Sequence, residues 1–297
     1  QTTVVTALER IGCNVFHLSL CPQSQNVFTH PVLLETLARA ELVVDLTDAH
    51  SASPLFDQYL EDIRVLSLKC RNVNELKRLV VSSGVARRAQ ILERLASSSK
   101  EIKILSDAGV FLSGSLSSVH YDAKTGVASQ SGQVEEWPSG IFNIKFDEHQ
   151  INGELLLTPG DVFIEASRIL SDPVQLEIEE GNLVEILGES ADANLIRTHL
   201  QNETDEDLTY QVNNISLGLS LTRGDGHGDL FSRDHPQIIQ ENHHAGWTSV
   251  HIGNSMTLTF TKATVSIDDQ IIFESGQLAG VLEPDLYERN AAGMNTP

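Results

Sequence analysis

The chain has 297 residues, a length that suits two domains. Its 41 acidic and 20 basic residues give a net charge of −21, which repels phosphate backbones and argues against nucleic acid as a partner. The three cysteines are too few for a disulfide framework and favour a reducing, cytoplasmic location. No apolar run approaches the ~20 residues of a membrane span.

The first hundred residues alternate between helix and strand patterns. Amphipathic periodicity predicts helices over residues 3–11, 31–40, 56–63, 74–80 and 86–96. Alternating or β-branched runs predict strands over residues 14–20, 41–46 and 64–68. Strands separated by helices indicate a mostly parallel sheet. We therefore expect an α/β domain over residues 1–100.

The remainder of the chain reads mainly as strands and turns. Strands are predicted over residues 101–105, 109–116, 141–146, 152–157, 175–178, 182–187, 255–267 and 270–274. One helix is predicted over residues 192–200. Residues 101–297 are therefore expected to form a β-rich α+β domain.

Several motifs of this second part occur together in one known family. They are the turn at Trp137-Pro138-Ser139-Gly140, the hairpins within residues 151–161, 172–184 and 263–276, the helix start at 192–195 and the strand at 215–219. In their order and spacing these segments resemble the 2,5-dihydroxypyridine dioxygenase / M29 aminopeptidase-like family. The resemblance extends over roughly residues 105 to 280 and implies that this domain binds the ligand.

The resemblance also implies metal ligands, and this sequence departs from them. The dioxygenases use two histidines and one carboxylate, a set that leaves open positions on Fe(II). The first histidine falls at Ser220, and the His-x-Asp pair falls at Ser255 and Thr257. The glutamate of the M29 peptidases falls at Ile141. Neutral hydroxyls do not replace imidazole and carboxylate at such a site.

We therefore expect a metal-free, non-catalytic binding protein, a pseudoenzyme without a cofactor. Its ligand is expected to be a peptide or small molecule, as in an accessory protein of a crocagin-type ribosomal-peptide pathway in natural-product biosynthesis. A second copy of the chain is a further candidate partner. Ser220, Ser255 and Thr257 are expected to lie near one another. The full ligand-binding set comprises Ser220, Trp247, His251, Asn254, Ser255 and Thr257.

The alternative is a metal-dependent enzyme. Five histidines and several carboxylates crowd the loop of residues 225–251. This loop could supply ligands for Fe or Zn in a ring-cleaving dioxygenase or a hydrolase, with His243, His244 and His251 as the candidate metal ligands. The competing interpretation is a polar loop with solvated histidines. Metal analysis of the purified protein separates the two functions.

Overall fold

The structure is a computed structural model. It describes residues 2–19, 31–37, 39–46, 63–68, 84–106, 109–137, 139–202, 210–221 and 244–292. The chain has mixed α/β content, and its sheets are mostly antiparallel. Within the described part of the chain, no helix is long and apolar enough to cross a membrane.

Two compact units divide the chain. The first comprises residues 1–80 together with 124–139, and the second comprises residues 81–123 and 140–297. This division differs from the predicted boundary at residue 100. The reason is helix Gly84–Ser98, which buries Val85, Ala89 and Leu92 in the same core as the later strands.

The described part of the first unit contains a three-stranded parallel sheet. Its strands are β1 (Leu42–Asp45), β2 (Arg64–Leu68) and β6 (Val134–Trp137), in the order β1-β2-β6. Helices α1 (Thr2–Arg10) and α2 (Pro31–Leu37) also belong to this unit, and Leu33 and Leu37 pack with Ile63 and Val65. The third strand therefore comes from well beyond residue 100.

Some predicted elements of this unit have a different outcome. The strand predicted over residues 14–20 is wrong, because residues 14–19 have no strand structure and Phe16 is 85% exposed. A strand there would have no apolar surface to cover. The predicted helix over residues 74–80 and all but the last residue of the one over 56–63 lie outside the described residues.

The second unit is built on two larger sheets. The eight-stranded sheet has the order β12-β11-β8-β4-β3-β16-β17-β18. Its strands, in chain order, are β3 (Glu101–Leu105), β4 (Phe111–Ser115), β8 (Ile151–Leu157), β11 (Val174–Glu179), β12 (Asn182–Leu187), β16 (Thr264–Ile267), β17 (Gln270–Glu274) and β18 (Gln277–Leu278).

The seven-stranded sheet has the order β10-β9-β15-β14-β13-β7-β5. Its strands, in chain order, are β5 (His120–Lys124), β7 (Ile141–Lys145), β9 (Val162–Phe163), β10 (Arg168–Ile169), β13 (Val212–Gly218), β14 (Thr248–Ile252) and β15 (Met256–Phe260). Every strand pair of known register in these two sheets is antiparallel, in contrast to the parallel pairs of the first unit.

Among the described residues, the α-helices of the second unit are α3 (Gly84–Ser98), α4 (Ala191–Gln201) and α5 (Leu286–Ala292). Helices α3 and α4 cover the core of these sheets. Ser190 caps the N-terminus of helix α4: its side chain accepts a hydrogen bond from the Ala193 backbone amide. Apolar side chains from α3, α4 and both sheets form one continuous core.

Candidate functional site

One face of the seven-stranded sheet is polar although much of it is buried. Successive side chains of a strand point to opposite faces. On one face Phe142, Ile215, Val250 and Leu258 enter the core. The other face carries Asn143, Asn214, Ser216, Ser249, His251, Thr257 and Thr259, of which Ser216, Ser249, Thr257 and Thr259 are buried. Buried polar groups require hydrogen-bond partners, and these side chains supply most of them to one another, with Asn214 Oδ1 as an exception.

A continuous row of hydrogen bonds crosses five strands on this face. We call Asp122, Asn143, Ser216, His251 and Thr257 the polar row. Thr257 Oγ1 lies 3.2 Å from His251 Nδ1, and His251 Nε2 lies 2.7 Å from Ser216 Oγ. Ser216 donates to Asn143 Oδ1 at 2.6 Å, and Asn143 Nδ2 donates to Asp122 Oδ2 at 3.4 Å. Beside the row, Ser249 and Thr259 pair at 2.7 Å.

The strand register creates this row. Asn214 stands opposite His251, and His251 stands opposite Thr257. Ser216 in turn stands opposite Asn143. Because side chains on directly opposed residues share one face, the row follows from pairing that joins segments far apart in the sequence.

His251 is uncharged at neutral pH. Burial lowers the pKa of His251 to about 4. A neutral imidazole has one donor nitrogen and one acceptor nitrogen, so the two neighbouring hydroxyls must play opposite roles.

A second cluster lies at the end of strands β13 and β14. Ser220 forms a bridge with His244, and the Ala245 amide donates to the Ser220 carbonyl at 2.9 Å. The His244 ring lies 4.5 Å from the ring of Trp247, which is buried. Gly140 passes so close that a Cβ atom there would lie 2.7 Å from Ser220 Cβ.

The predicted site residues therefore divide into separate groups. His251 and Thr257 lie together in the polar row, whereas Ser220 and Trp247 lie in the second cluster. Ser220 is six residues along the chain from Asn214, the row's neighbour, a span of about 20 Å in a strand. The expectation that Ser220, Ser255 and Thr257 lie near one another is wrong.

Asn254 and Ser255 occupy the turn between β14 and β15. Asn254 is exposed. The Ser255 carbonyl oxygen and Oγ lie 3.0 and 3.2 Å from His199 Nε2 on helix α4. His199 also meets the Phe163 ring edge-on, with ring centroids 5.0 Å apart. Ser255 thus contacts a helix on the core side of the sheet and lies outside the row.

Sequence reasoning missed Asp122, Asn143, Asn214 and Ser216. For Asn214 and Ser216 the signal was present as polar residues at alternate positions, in the pattern Asn214-x-Ser216, which recurs as Ser249-x-His251 and Thr257-x-Thr259. A strand that alternates in this way usually exposes its polar side to solvent. The pattern becomes a site only when several such strands stand next to one another.

The described residues do not fit a metal site with two histidines and one carboxylate. Across the parts of the chain that the structure describes, no three His, Cys, Asp or Glu side chains form a group that could hold a metal ion. Both ring nitrogens of His251 are engaged by hydroxyls. Residues 225–243 of the histidine-rich loop, which include His243, lie outside the described residues.

Comparisons with known proteins give a consistent result. The family model for 2,5-dihydroxypyridine 5,6-dioxygenase matches residues 2–224. A relative with that name from Pseudomonas putida is 27% identical over 183 residues, covering 62% of this chain. That match spans 51% of the relative, so the chain is matched to about half of the relative's length.

Two solved structures have a similar fold. The structure of 2,5-dihydroxypyridine dioxygenase from Pseudomonas putida superposes with a TM-score of 0.76 at 20% identity, covering 94% of this chain and 87% of that chain. AmpT from Thermus thermophilus, an M29 aminopeptidase, gives a TM-score of 0.50 at 11% identity, with 94% and 90% coverage. At these identities the likeness shows the fold.

These findings correct the functional expectation. The family is named for an enzyme, so the expectation of a non-catalytic, peptide-binding pseudoenzyme is wrong. The loss of the metal ligands at Ile141, Ser220, Ser255 and Thr257 favours that interpretation in the sequence, but the family model matches most of the chain. The resemblance seen in the sequence is confirmed: the chain belongs to the 2,5-dihydroxypyridine 5,6-dioxygenase family.

Proposed function

We propose that this protein is a ring-cleaving dioxygenase that acts on a hydroxylated aromatic or pyridine ring. The observation that carries the proposal is the family match over residues 2–224, about three quarters of the 297-residue chain. The Pseudomonas putida relative is named for the cleavage of 2,5-dihydroxypyridine, and we extend that substrate class to this chain as part of the proposal.

The polar row supports a substrate of this kind. A dihydroxypyridine carries its polar groups around the edge of a flat ring, and hydroxyl, amide and imidazole groups are suited to bind such an edge. Asp122, Asn143, Asn214 and His251 are partly exposed, so a ligand can reach the row. The buried neighbours Ser216 and Thr257 hold His251 in a fixed orientation.

Oxygen chemistry in the resembling enzymes depends on Fe(II). The described residues do not supply a ligand set for iron. The proposal therefore requires ligands from the histidine-rich loop, which contains Asp225, His227, Asp229, Asp234, His235, Glu241 and His243. Of the candidate ligands His243, His244 and His251, the last has both ring nitrogens engaged by hydroxyls, which leaves His243 and His244.

The test combines metal content with oxygen consumption. The chain is loaded with Fe(II) without oxygen, freed of excess metal and mixed with 2,5-dihydroxypyridine and labelled oxygen gas. We expect about one iron per chain, uptake of one O2 per ring and both labelled atoms in the product. The variant His243→Ala should lose iron and activity, whereas His17→Ala, an exposed histidine of the first unit, should keep both. An iron-loaded protein that consumes no oxygen contradicts the proposal.

The finer domain organisation is also a proposal. The parallel pairing of β1, β2 and β6 supports an N-terminal α/β domain with a mostly parallel sheet. The polar row lies in the second unit, which supports the β-rich part of the chain as the ligand-binding domain. Limited proteolysis, which favours exposed linkers, measures where the domains separate.

A further inference from the structure

The chemistry of Asp122 decides which group donates and which accepts in each hydrogen bond of the polar row. A carboxylate has no proton to donate, so it can only accept hydrogen bonds. Asn143 must therefore turn its Nδ2 amide group toward Asp122 and its Oδ1 atom toward Ser216. The other oxygen of Asp122 lies 3.6 Å from Lys145 Nζ, a positive group beside the carboxylate.

The orientation of Asn143 fixes the donor and acceptor roles of the residues up to His251. Since Asn143 presents an oxygen, Ser216 must give it its only hydroxyl proton. Ser216 Oγ then has only lone pairs for His251, so His251 carries its proton on Nε2. The Nδ1 atom of His251 is left as an acceptor, and the Thr257 hydroxyl must donate to it. Every donor in the row thus points toward Asp122.

This assignment of donors leaves acceptor atoms of Asn214 and Thr257 without a donor. Asn214 Nδ2 donates to Ser216 Oγ at 3.2 Å, so Asn214 Oδ1 faces away from Ser216. Asn214 Oδ1 is buried and has no hydrogen-bond partner among the residues that the structure describes. Thr257 Oγ1 uses its proton on His251 and keeps its lone pairs. Thr257 Oγ1 can therefore bind only a group that brings a proton of its own, and Asn214 Oδ1, which is closed to solvent, meets such a group only if its side chain moves.

The charges around the row also distinguish between ligands. Asp122 lies at one end, and Glu165 Oε2 accepts the Thr257 backbone amide at 2.8 Å at the other end. Lys145 offsets the charge of Asp122, so Glu165 is the remaining carboxylate beside the row; its charge disfavours an anionic ligand and leaves neutral donors as the better match.

We propose that Asp122 is a positioning residue that fixes the Nε2–H tautomer of His251, and that the row it orients binds neutral rings through their hydroxyl or N–H donors. The ring class rests on the proposed function, whereas the tautomer and the donor preference rest on the row alone. Asp122 acts on the ligand only through Asn143, Ser216 and His251.

Nitrogen NMR tests the tautomer directly. In protein labelled with ¹⁵N at histidine, the two ring nitrogens of His251 have distinct shifts according to which one carries the proton, and His251→Gln identifies the signals. We expect Nε2–H in the natural chain. In Asp122→Asn the new amide can donate to Asn143, so the row is free to reverse and a second population with Nδ1–H should appear. Glu101→Gln, the same charge change at Glu101 in the other large sheet, is the matched control and should leave the spectrum unchanged.

Calorimetry tests the donor preference with two probes of similar shape. The first is 2,5-dihydroxypyridine and the second is 2,5-dimethoxypyridine, which has no hydroxyl donor. We expect the dimethoxy compound to bind at least about tenfold more weakly, because it brings no proton to the acceptors of the row. The substitution Asp122→Asn should reduce the ratio of the two affinities. Asp122→Ala serves as the second variant if the asparagine form does not fold.

The outcomes separate this proposal from the dioxygenase activity. An Nδ1–H tautomer in the natural chain, or an unchanged tautomer in both Asp122 variants, overturns it. Equal affinity for the two probes overturns the donor preference. Donor-selective binding with no oxygen consumption supports the row as proposed and counts against the dioxygenase.

Discussion

Arg88 on helix α3 and Glu288 on helix α5 form an ion pair from which solvent is excluded. Their side chains are 0% and 1% exposed, and both terminal nitrogens of Arg88 lie 2.8 Å from Glu288 Oε1. Arg88 Nε also donates to the Leu219 carbonyl at 3.1 Å, next to Ser220. Burial lowers the pKa of Arg88, while Glu288 opposes that shift. The C-terminal helix is therefore tied through Arg88 to the strand end that carries the second cluster.

Removing only one partner of this pair should be costly. Glu288→Gln leaves Arg88 buried without its counter-charge, and we expect the free energy of unfolding to fall by about 3–5 kcal/mol. The double variant Arg88→Met/Glu288→Leu should lose much less, because no charge remains buried. Urea unfolding measures the free energy of unfolding of the single and the double variant. A single variant as stable as the natural chain would show that Arg88 is compensated elsewhere.

His251 should make stability depend on acidity. Its folded pKa, about 4, lies below the ordinary value of 6.5, so the unfolded chain binds a proton that the folded chain does not. The contribution of His251 to the free energy of unfolding is therefore fully present above pH 6.5 and is lost as the pH falls from 6.5 to 4. The loss for this one group is at most about 3 kcal/mol. Unfolding curves of His251→Gln between these pH values should show a smaller loss than the natural chain, and parallel curves would contradict the expectation.

Gly140 should tolerate no side chain. Its φ of 135° is a backbone conformation that other residues rarely adopt, and an added Cβ would meet Ser220. Gly160, with φ of 104° and open space around it, is the matched control. Both alanine variants carry backbone strain of order 1–3 kcal/mol, and only Gly140→Ala adds a steric clash. Thermal unfolding should therefore show the larger loss for Gly140→Ala; equal losses would mean that the Ser220 strand moves away easily.

The Ser249–Thr259 pair offers a test of the polar face itself. Both residues are fully buried, and their hydroxyls lie 2.7 Å apart. Ser249→Ala should cost about 1–3 kcal/mol, because it leaves the Thr259 hydroxyl buried without its partner. Adding Thr259→Val should restore part of that loss, since no polar group is then unpaired. Additive losses in the double variant would show that the two hydroxyls act independently.

The sequence predicted the elements with strong periodicity well. Helix Gly84–Ser98 and the hairpin strands β11 and β12 lie close to their predicted positions, because each has a clear apolar stripe or alternation. Strand β14, Thr248–Ile252, was missed because it follows directly on a long run of loop-like composition that ends at Trp247. That omission concealed the site, since β14 places His251 opposite both Asn214 and Thr257. Register between distant strands is a property of the assembled sheet, and a motif in one segment does not contain it.

The first unit is discontinuous along the chain, and this affects how the protein is made. Strand β6 completes the parallel sheet from residues 134–137, after the chain has already contributed strands to the second unit. A fragment ending at residue 100 lacks β6, so we expect it to be unstable when expressed alone. During synthesis, β6 cannot pair with β2 until residues beyond 139 have left the ribosome. The nascent chain must keep the edge of β2 unpaired until then, which makes this interval the one in which aggregation is most to be expected.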